Sequence, residues 1–304
     1  MKVFIAGATG AIGKPLVQGL VSARHTVFGM TRSKENAGAL ASLGAEAVLV
    51  DVFDSPAVHS ALGRIKPDVV IDQLTSLPKT YTAESMRNNG DLNRRTHQEG
   101  GANVLAAAQS AGVKRFMIQS TAFFYAPGSG LADEDSPFAF DGPPAIASST
   151  EDFAELEKRT QSSSIPEVII LRYGFFYGLG TWYDKDGSIA VQVKNMAFPV
   201  IGDGQGVSSF IHIQDAAEAT CAALEKGRPG IYNIVDDDPS QQRSWLPAYA
   251  NWLGAPPPPY LALEDVNEPN FVYYATRLRG ASNSKAKKEF QWKPRKLEWL
   301  MSAS

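Results

Sequence analysis

The sequence predicts an α/β protein: a doubly wound, Rossmann-type parallel sheet with helices on both faces, followed by a smaller α+β lobe. Three observations predict it. An apolar run at residues 3–6 passes into glycines at 7, 10 and 13 and then into an amphipathic segment at 14–23. Short apolar runs then recur between helical stretches up to about residue 178, the pattern of buried parallel strands covered by helices. Beyond 178 the texture changes to turn clusters (180–187, 202–206), short strands, helices and a proline run at 256–259. The division expected is therefore 1–178 for the dinucleotide-binding sheet domain, a single fold unit with the lobe that follows it, and 179–304 for that smaller substrate-binding lobe.

The first element reads as strand, tight turn, helix. Gly7 lets the turn close, Gly10 lets the backbone approach a pyrophosphate, and Gly13 lets the helix pack on the strand. Thr9, Ala11 and Ile12 complete the loop, and the helix N-terminus offers amide donors to an anion. The ligand this motif predicts is a dinucleotide.

A second strand, 25–30, runs into Thr31-Arg32-Ser33-Lys34. The residue that ends this strand faces the adenosine ribose, where an acid accepts from a free 2′-hydroxyl and an arginine accommodates a 2′-phosphate. No acid appears before Glu35, so Arg32 and Ser33 favour NADP(H) over NAD(H). A third strand, 45–50, brings Asp51 and Val52 to the adenine. The fourth, 68–74, leads through Leu74 into Thr75 and Ser76 on the nicotinamide side. Residues 75–95 are polar and irregular, either a loop near the substrate or a surface connection.

A helix at 98–111 ends at Gly112, suited to a left-handed cap. Strand 115–120 opens onto Thr121-Ala122-Phe123-Phe124-Tyr125. A helix at 150–161 and a strand at 167–172 complete the alternation. In the lobe, strands are expected at 210–213 and 231–235, and helices at 215–226, 244–253 and 284–290.

Composition narrows the class. With 304 residues and 44% apolar content the chain can bury a core without staples. The single cysteine, Cys221, excludes an internal disulfide, and histidines 25, 59, 97 and 212 lack ligand spacing, so no structural metal is expected. A net charge of −3 carries no footprint for nucleic acid or an anionic membrane. No apolar run approaches the roughly 20 residues of a membrane span and no signal peptide is visible, so a cytoplasmic protein is expected.

Together these residues resemble the extended short-chain dehydrogenase/reductase family, also described as the NAD-dependent epimerase/dehydratase family. The resemblance rests on GATGAIG at 7–13, GVKRF at 112–116 before a strand ending Ser120-Thr121, LRYGFFYGLG at 171–180, FIHIQD at 210–215, GIYN at 230–233, and the closing segment from Ser284-Lys285 to Trp292-Lys293-Pro294. It implies a bound nicotinamide cofactor, a small-molecule substrate held by the carboxyl-terminal lobe, and Thr121 as the substrate-orienting hydroxyl. It also implies Tyr173 as part of the cofactor site, and a homodimer is common among such relatives.

The departures matter more. Relatives usually carry a YxxxK pair whose tyrosine moves a proton while the lysine holds the ribose and lowers the phenol's pKa. Here no tyrosine lies between Tyr125 and Tyr173, and none of the tyrosines has lysine four residues later. Aligning Glu155 and Arg172 with their family counterparts puts Ala147 at the tyrosine position and Glu151 at the lysine position. Glu151 could still accept from ribose hydroxyls. Tyr183, in the loop after the sixth strand, is the candidate replacement donor, or else a packing aromatic beside Trp182. Ser208 and Ser209 stand where nucleotide-sugar relatives often have an arginine, and the aromatics Phe123, Phe124, Phe175, Phe176 and Trp182 suggest a less polar substrate.

Three functions fit these residues. The first is an NADP(H)-dependent reductase or dehydrogenase of a small, relatively apolar carbonyl-like or unsaturated compound, with an atypical proton relay. The second is a non-catalytic NADP(H)-binding sensor or scaffold. The third is an epimerase, dehydratase or lyase with bound nicotinamide. Retention of Thr121 and of a complete lobe favours an enzyme.

Overall fold

The computed structural model describes residues 1–301. Its first half alternates strands and helices: β1 (Lys2–Ala6), α1 (Gly13–Ser22), β2 (Thr26–Thr31), α2 (Lys34–Ser42), β3 (Glu46–Leu49), α3 (Ser55–Ile65) and β4 (Val69–Asp72). There follow α4 (Ala83–Arg95), α5 (Gly101–Ser110), β5 (Arg115–Thr121), α6 (Pro144–Gln161) and β6 (Glu167–Tyr173). Seven strands form one sheet in which Gly230–Ile234 lies at one edge, followed by β6, β5, β4, β1, β2 and β3. Every pairing in it is parallel. The order reverses between β1 and β4, which opens a crevice at the carboxyl ends of those strands.

Period-two alternation explains why β1 is apolar throughout. Val3 and Ile5 join the core on one face with Leu16, Val17 and Leu20 of α1, while Phe4 and Ala6 join the other with Val58 and Leu62 of α3. Helix starts follow local chemistry. Ser33 caps α2 by accepting from the Asn36 amide, and Asp54 caps α3, which carries a proline in its first turn. Gly112 closes the end of α5 at φ +71°.

Two expectations are corrected. Residues 83–95 are helical: α4 opens with a reciprocal cap between Thr82 and Ser85 and continues through a π-helical stretch, Thr96–Gly100, into α5. None of the α4 residues is buried, so no apolar periodicity advertises it. Two elements expected in the lobe also belong to the sheet domain. Strand Gly230–Ile234 returns to pair with β6, and helix Ile213–Lys226 lays Ala216, Ala219 and Ala223 into the same core as α1. What remains of the lobe is a separate aromatic cluster containing Tyr177, Tyr183, Phe210, Trp245, Tyr249 and Trp299. Among the described residues no helix is long and apolar enough to cross a membrane.

Candidate active site

The turn between β1 and α1 is built as its glycines require. Gly7 has φ +82°, and a Cβ there would run into the Gln73 carbonyl. A Cβ on Gly13 would strike the Gly7 carbonyl and the Ala8 backbone. Gly10 differs: it is exposed, and its Cβ would meet only the Gly7 carbonyl, at 3.3 Å. The backbone there is open to an incoming ligand. Ile12 sits at the N-cap of α1 and supplies no side-chain acceptor; the Lys14 amide donates to the Gly10 carbonyl and Pro15 has no amide hydrogen, so the Gly13 amide, preceded by the loop of Thr9 and Ala11, is the first-turn donor left to an external anion. A pyrophosphate fits this cradle.

At the adenosine end, the exposed Arg32 guanidinium lies 4.0 Å from the Asp51 carboxylate. Ser33 is occupied in capping α2, and its amide donates to Thr31 Oγ1 at 3.3 Å. Asp51 accepts from the Phe53 amide at 3.0 Å. Arg32, Ser33 and Asp51 thus share one edge of the crevice. Val52 does not join them: it is buried against Gly100, and its carbonyl accepts from Asn103.

The opposite side is centred on Thr121, the buried last residue of β5, whose Oγ1 accepts from the Phe123 amide at 3.4 Å. Leu74 and the exposed Thr75 follow β4 at the neighbouring strand end. Asp72 accepts from the Leu74 amide at 2.9 Å and fixes that turn; burial pushes its carboxyl up to about 6, against the opposing pull of that hydrogen bond, His97 and Arg159.

Helix α6 decides where the family's proton relay would stand. Arg172 donates to Glu157 through two bonds of 2.8 and 2.6 Å, and Ser120 donates to the same carboxylate at 2.6 Å. The pair is buried, and Arg172 also donates to the Tyr125 hydroxyl, which in turn donates to Asn233. The partner of Arg172 is therefore Glu157, whereas Glu155 is exposed. This moves the register by two residues. Ser149 and Phe153, two turns and one turn before Glu157, occupy the positions expected for Ala147 and Glu151. Glu151 is exposed on another side of the helix and is not a ribose ligand by this register. The Phe153 ring lies 5.0 Å from that of His97, whose Nδ1 is 3.0 Å from Asp152.

Two further expectations change. Tyr173 is fully buried, and its hydroxyl is shared with Thr220 at 2.6 Å and Gln73 at 3.3 Å, so it props the strand end beneath Gly7 rather than facing a cofactor. Tyr183 is packed among Phe210, Trp245 and Tyr249 at ring distances of 5.1, 6.0 and 6.0 Å. Burial pushes its phenol well above the ordinary value. Of the two readings of Tyr183, replacement donor or packing aromatic, these ring contacts are those of a packing aromatic, and no cation acts to bring its phenol down. Tyr81, in the polar stretch read as a loop near the substrate or a surface connection, packs on Trp182, and Tyr274, which sequence reasoning missed, packs on Phe175; an isolated tyrosine carries no pattern that would reveal such a neighbour.

Residues 3–235 match the NAD dependent epimerase/dehydratase family. The chain belongs to this family. Over 312 aligned residues it is 37% identical to "3-diazoavenalumate denitrifying reductase" of a Streptomyces species, with 98% of each chain covered. It is 27% identical to a dihydroquinoline-1-oxide ketoreductase of Stigmatella aurantiaca, covering 81% of this chain and 71% of the other. The fold matches UDP-glucose 4-epimerase of Thermotoga maritima, solved with UDP-glucose, at a TM-score of 0.75 and 19% identity, covering 98% and 95% of the two chains. It also matches the UDP-glucose 4-epimerase of Thermus thermophilus, solved with NAD, at 0.72 and 24%, covering 97% and 94%. The family member described here is an NAD(P)-dependent oxidoreductase.

Proposed function

We propose that this family member is a reductase that uses NADP(H) to deliver hydride to a small aromatic substrate bearing an electron-poor nitrogen group, an aryl diazo or diazonium compound. One observation carries the reading: the face of α6 above the Arg172–Glu157 pair presents Ser149 and Phe153, neither of which can act as a proton-delivering phenol or as its amine. Reduction of a ketone produces an alkoxide that needs a proton, and a site without a tuned acid is poor at supplying one. Hydride addition to the terminal nitrogen of an aryldiazonium cation needs none, because the cation becomes a neutral aryldiazene. That diazene then splits into arene and dinitrogen. The name of the Streptomyces relative, a reductase of a diazo acid, points the same way.

The protein's own residues do the rest. Gly7, Gly10 and Gly13 shape the phosphate cradle, Arg32 with Ser33 offers a charge-assisted anchor to a 2′-phosphate, and Leu74, Thr75 and Thr121 border the reacting end. The wall beyond Thr121 is aromatic: Phe123 stacks on Phe175 at 4.4 Å and 11°. A planar ring suits such a wall. Ser208 and Ser209, both buried, leave no cation for a nucleotide diphosphate at that point.

The test is stoichiometric. Mixed with NADPH and benzenediazonium, the protein should oxidise one NADPH per dinitrogen released, with ketones turned over at least about 100-fold more slowly, the lower range of what general acid catalysis supplies. Ketone reduction at a comparable rate, or no oxidation with either class, overturns the proposal. Arg32→Ala should weaken NADPH binding about tenfold and leave NADH binding unchanged, read by fluorescence titration. A wild-type preference for NADH would refute the 2′-phosphate assignment.

A further inference from the structure

Two tyrosines flank Phe175, Tyr183 from the loop following Tyr177 and Tyr274 from helix Pro269–Thr276, and a third, Tyr81 from the connection after β4, packs on the neighbouring Trp182. The Phe175 ring lies 6.3 Å from that of Tyr183 and 6.1 Å from that of Tyr274. The Tyr81 ring lies 4.9 Å from that of Trp182, the residue preceding Tyr183. Tyr81, Trp182, Tyr183 and Phe175 pack in one apolar cluster, and Tyr274 packs with Phe175 in the adjoining one, so the three phenols belong to neighbouring parts of the same wall.

Their hydroxyls are the unusual feature. Buried tyrosines elsewhere in the chain find acceptors: Tyr125 donates to Asn233, Tyr232 to Glu289 and Tyr249 to the Asp184 carbonyl. Tyr177 holds the one tyrosine hydroxyl that is both sealed from solvent and without a partner among the described residues, whereas the Tyr81, Tyr183 and Tyr274 hydroxyls make no hydrogen bond to the protein and stay open to solvent, with Tyr81 and Tyr274 half-buried. Tyr183 is only 8% exposed. Three donors with no protein acceptor, beside an aromatic wall and reachable from solvent, are available to an acceptor on a ligand. Burial raises all three phenols, and no cationic side chain acts on any of them, so they stay protonated and suit an oxygen without full charge.

The geometry points to a three-phenol donor site, formed by Tyr81, Tyr183 and Tyr274, for a carbonyl or quinonoid oxygen on the ring of the substrate. Coupled to the diazo reading, on which this half alone rests, the site also assists the reaction. When hydride adds to the terminal nitrogen of a quinone diazide, the displaced electron pair moves through the ring onto that oxygen. Donors already aimed at it stabilise the charge as it develops. The phenols give up no proton; the ring oxygen takes one from water after release, leaving phenol and dinitrogen.

Binding is tested separately from turnover. With NADP⁺ present, tryptophan fluorescence titration should show acetophenone binding at least about tenfold more tightly than ethylbenzene, as expected where donors await an acceptor. Each of Tyr81→Phe, Tyr183→Phe and Tyr274→Phe should shrink that preference about fivefold, one hydrogen bond's worth, with affinity for NADP⁺ unchanged as the control for folding. No preference in the wild type, or a preference that all three variants retain, overturns the donor site. In turnover, the variants should lose kcat/KM on para-quinone diazide and not on benzenediazonium; equal losses on both overturn the assisting role. If neither diazo compound reacts while the binding preference holds, the function proposed above fails and the donor site stands.

Discussion

Asp72 shows how much one side chain at a strand end can commit. Its carboxylate holds the Leu74 amide that begins the nicotinamide-side turn, and its burial keeps the proton on up to about pH 6. The folded-state pKa exceeds the unfolded value of 3.8, so between those two values the native state binds more protons than the unfolded chain. Stability contributed by this group is fully present below about pH 4 and is lost as pH rises through 6, a decrement of roughly 3 kcal/mol for a two-unit shift. Asp72→Asn should flatten that part of the stability-against-pH curve in urea unfolding, while the amide oxygen still accepts from Leu74. An unchanged slope refutes the assignment. The same scale separates two kinds of tyrosine: the Tyr173 hydroxyl is bonded to Thr220 and accepts from Gln73, whereas the Tyr183 hydroxyl makes no hydrogen bond among the described residues.

At the scale of elements, the β1–α1 turn and α6 carry the site in opposite ways. The turn was legible from residue spacing because its constraints are local: φ +82° at Gly7 and the collision of a Gly13 Cβ with the loop itself leave few alternatives to glycine. The two glycines facing different neighbours predict different defects. Gly10→Ala should keep the melting temperature within a few degrees of wild type and weaken cofactor binding at least about tenfold, because its Cβ points into the ligand's space. Gly13→Ala should lower the melting temperature by more than about 5 °C, because backbone must move. Thermal melts and cofactor titrations read the two independently; a large melting shift for Gly10→Ala would reverse the assignment. In α6 the local signal misleads. Both Glu155 and Glu157 are acids near the right place, and only the bonds from Arg172 and Ser120 choose Glu157 and so set the register of the helix.

The whole molecule closes around a strand borrowed from its second half. Gly230–Ile234 covers the open edge of β6, and helix Ile213–Lys226 covers the apolar face of α1. A fragment of residues 1–178 should therefore fail to fold, since it exposes an unpaired parallel edge and the flank of α1 together. Its circular dichroism and gel-filtration behaviour should be those of an aggregated or unfolded chain; a monomeric fragment with a cooperative melt would refute this. The lobe likewise depends on the sheet, because Phe175 follows β6 directly and pairs with Phe210. Tyr81, Tyr183 and Tyr274 come together only through that closure.

What the sequence alone determined is the class of fold, the phosphate-binding turn, the strand ends that border the site, and the absence of a tyrosine–lysine relay. Each is written in nearest-neighbour terms: glycine spacing, runs of buried strand residues, or a missing pair four residues apart. The polar helix α4, the register of α6, the burial of Tyr173 and Tyr183, the return of Gly230–Ile234 to the sheet, and the meeting of three phenols were decided by tertiary structure. Those features depend on contacts between residues about 15 to 190 positions apart, and chain-local patterns hold no record of which distant side chain a given one will meet.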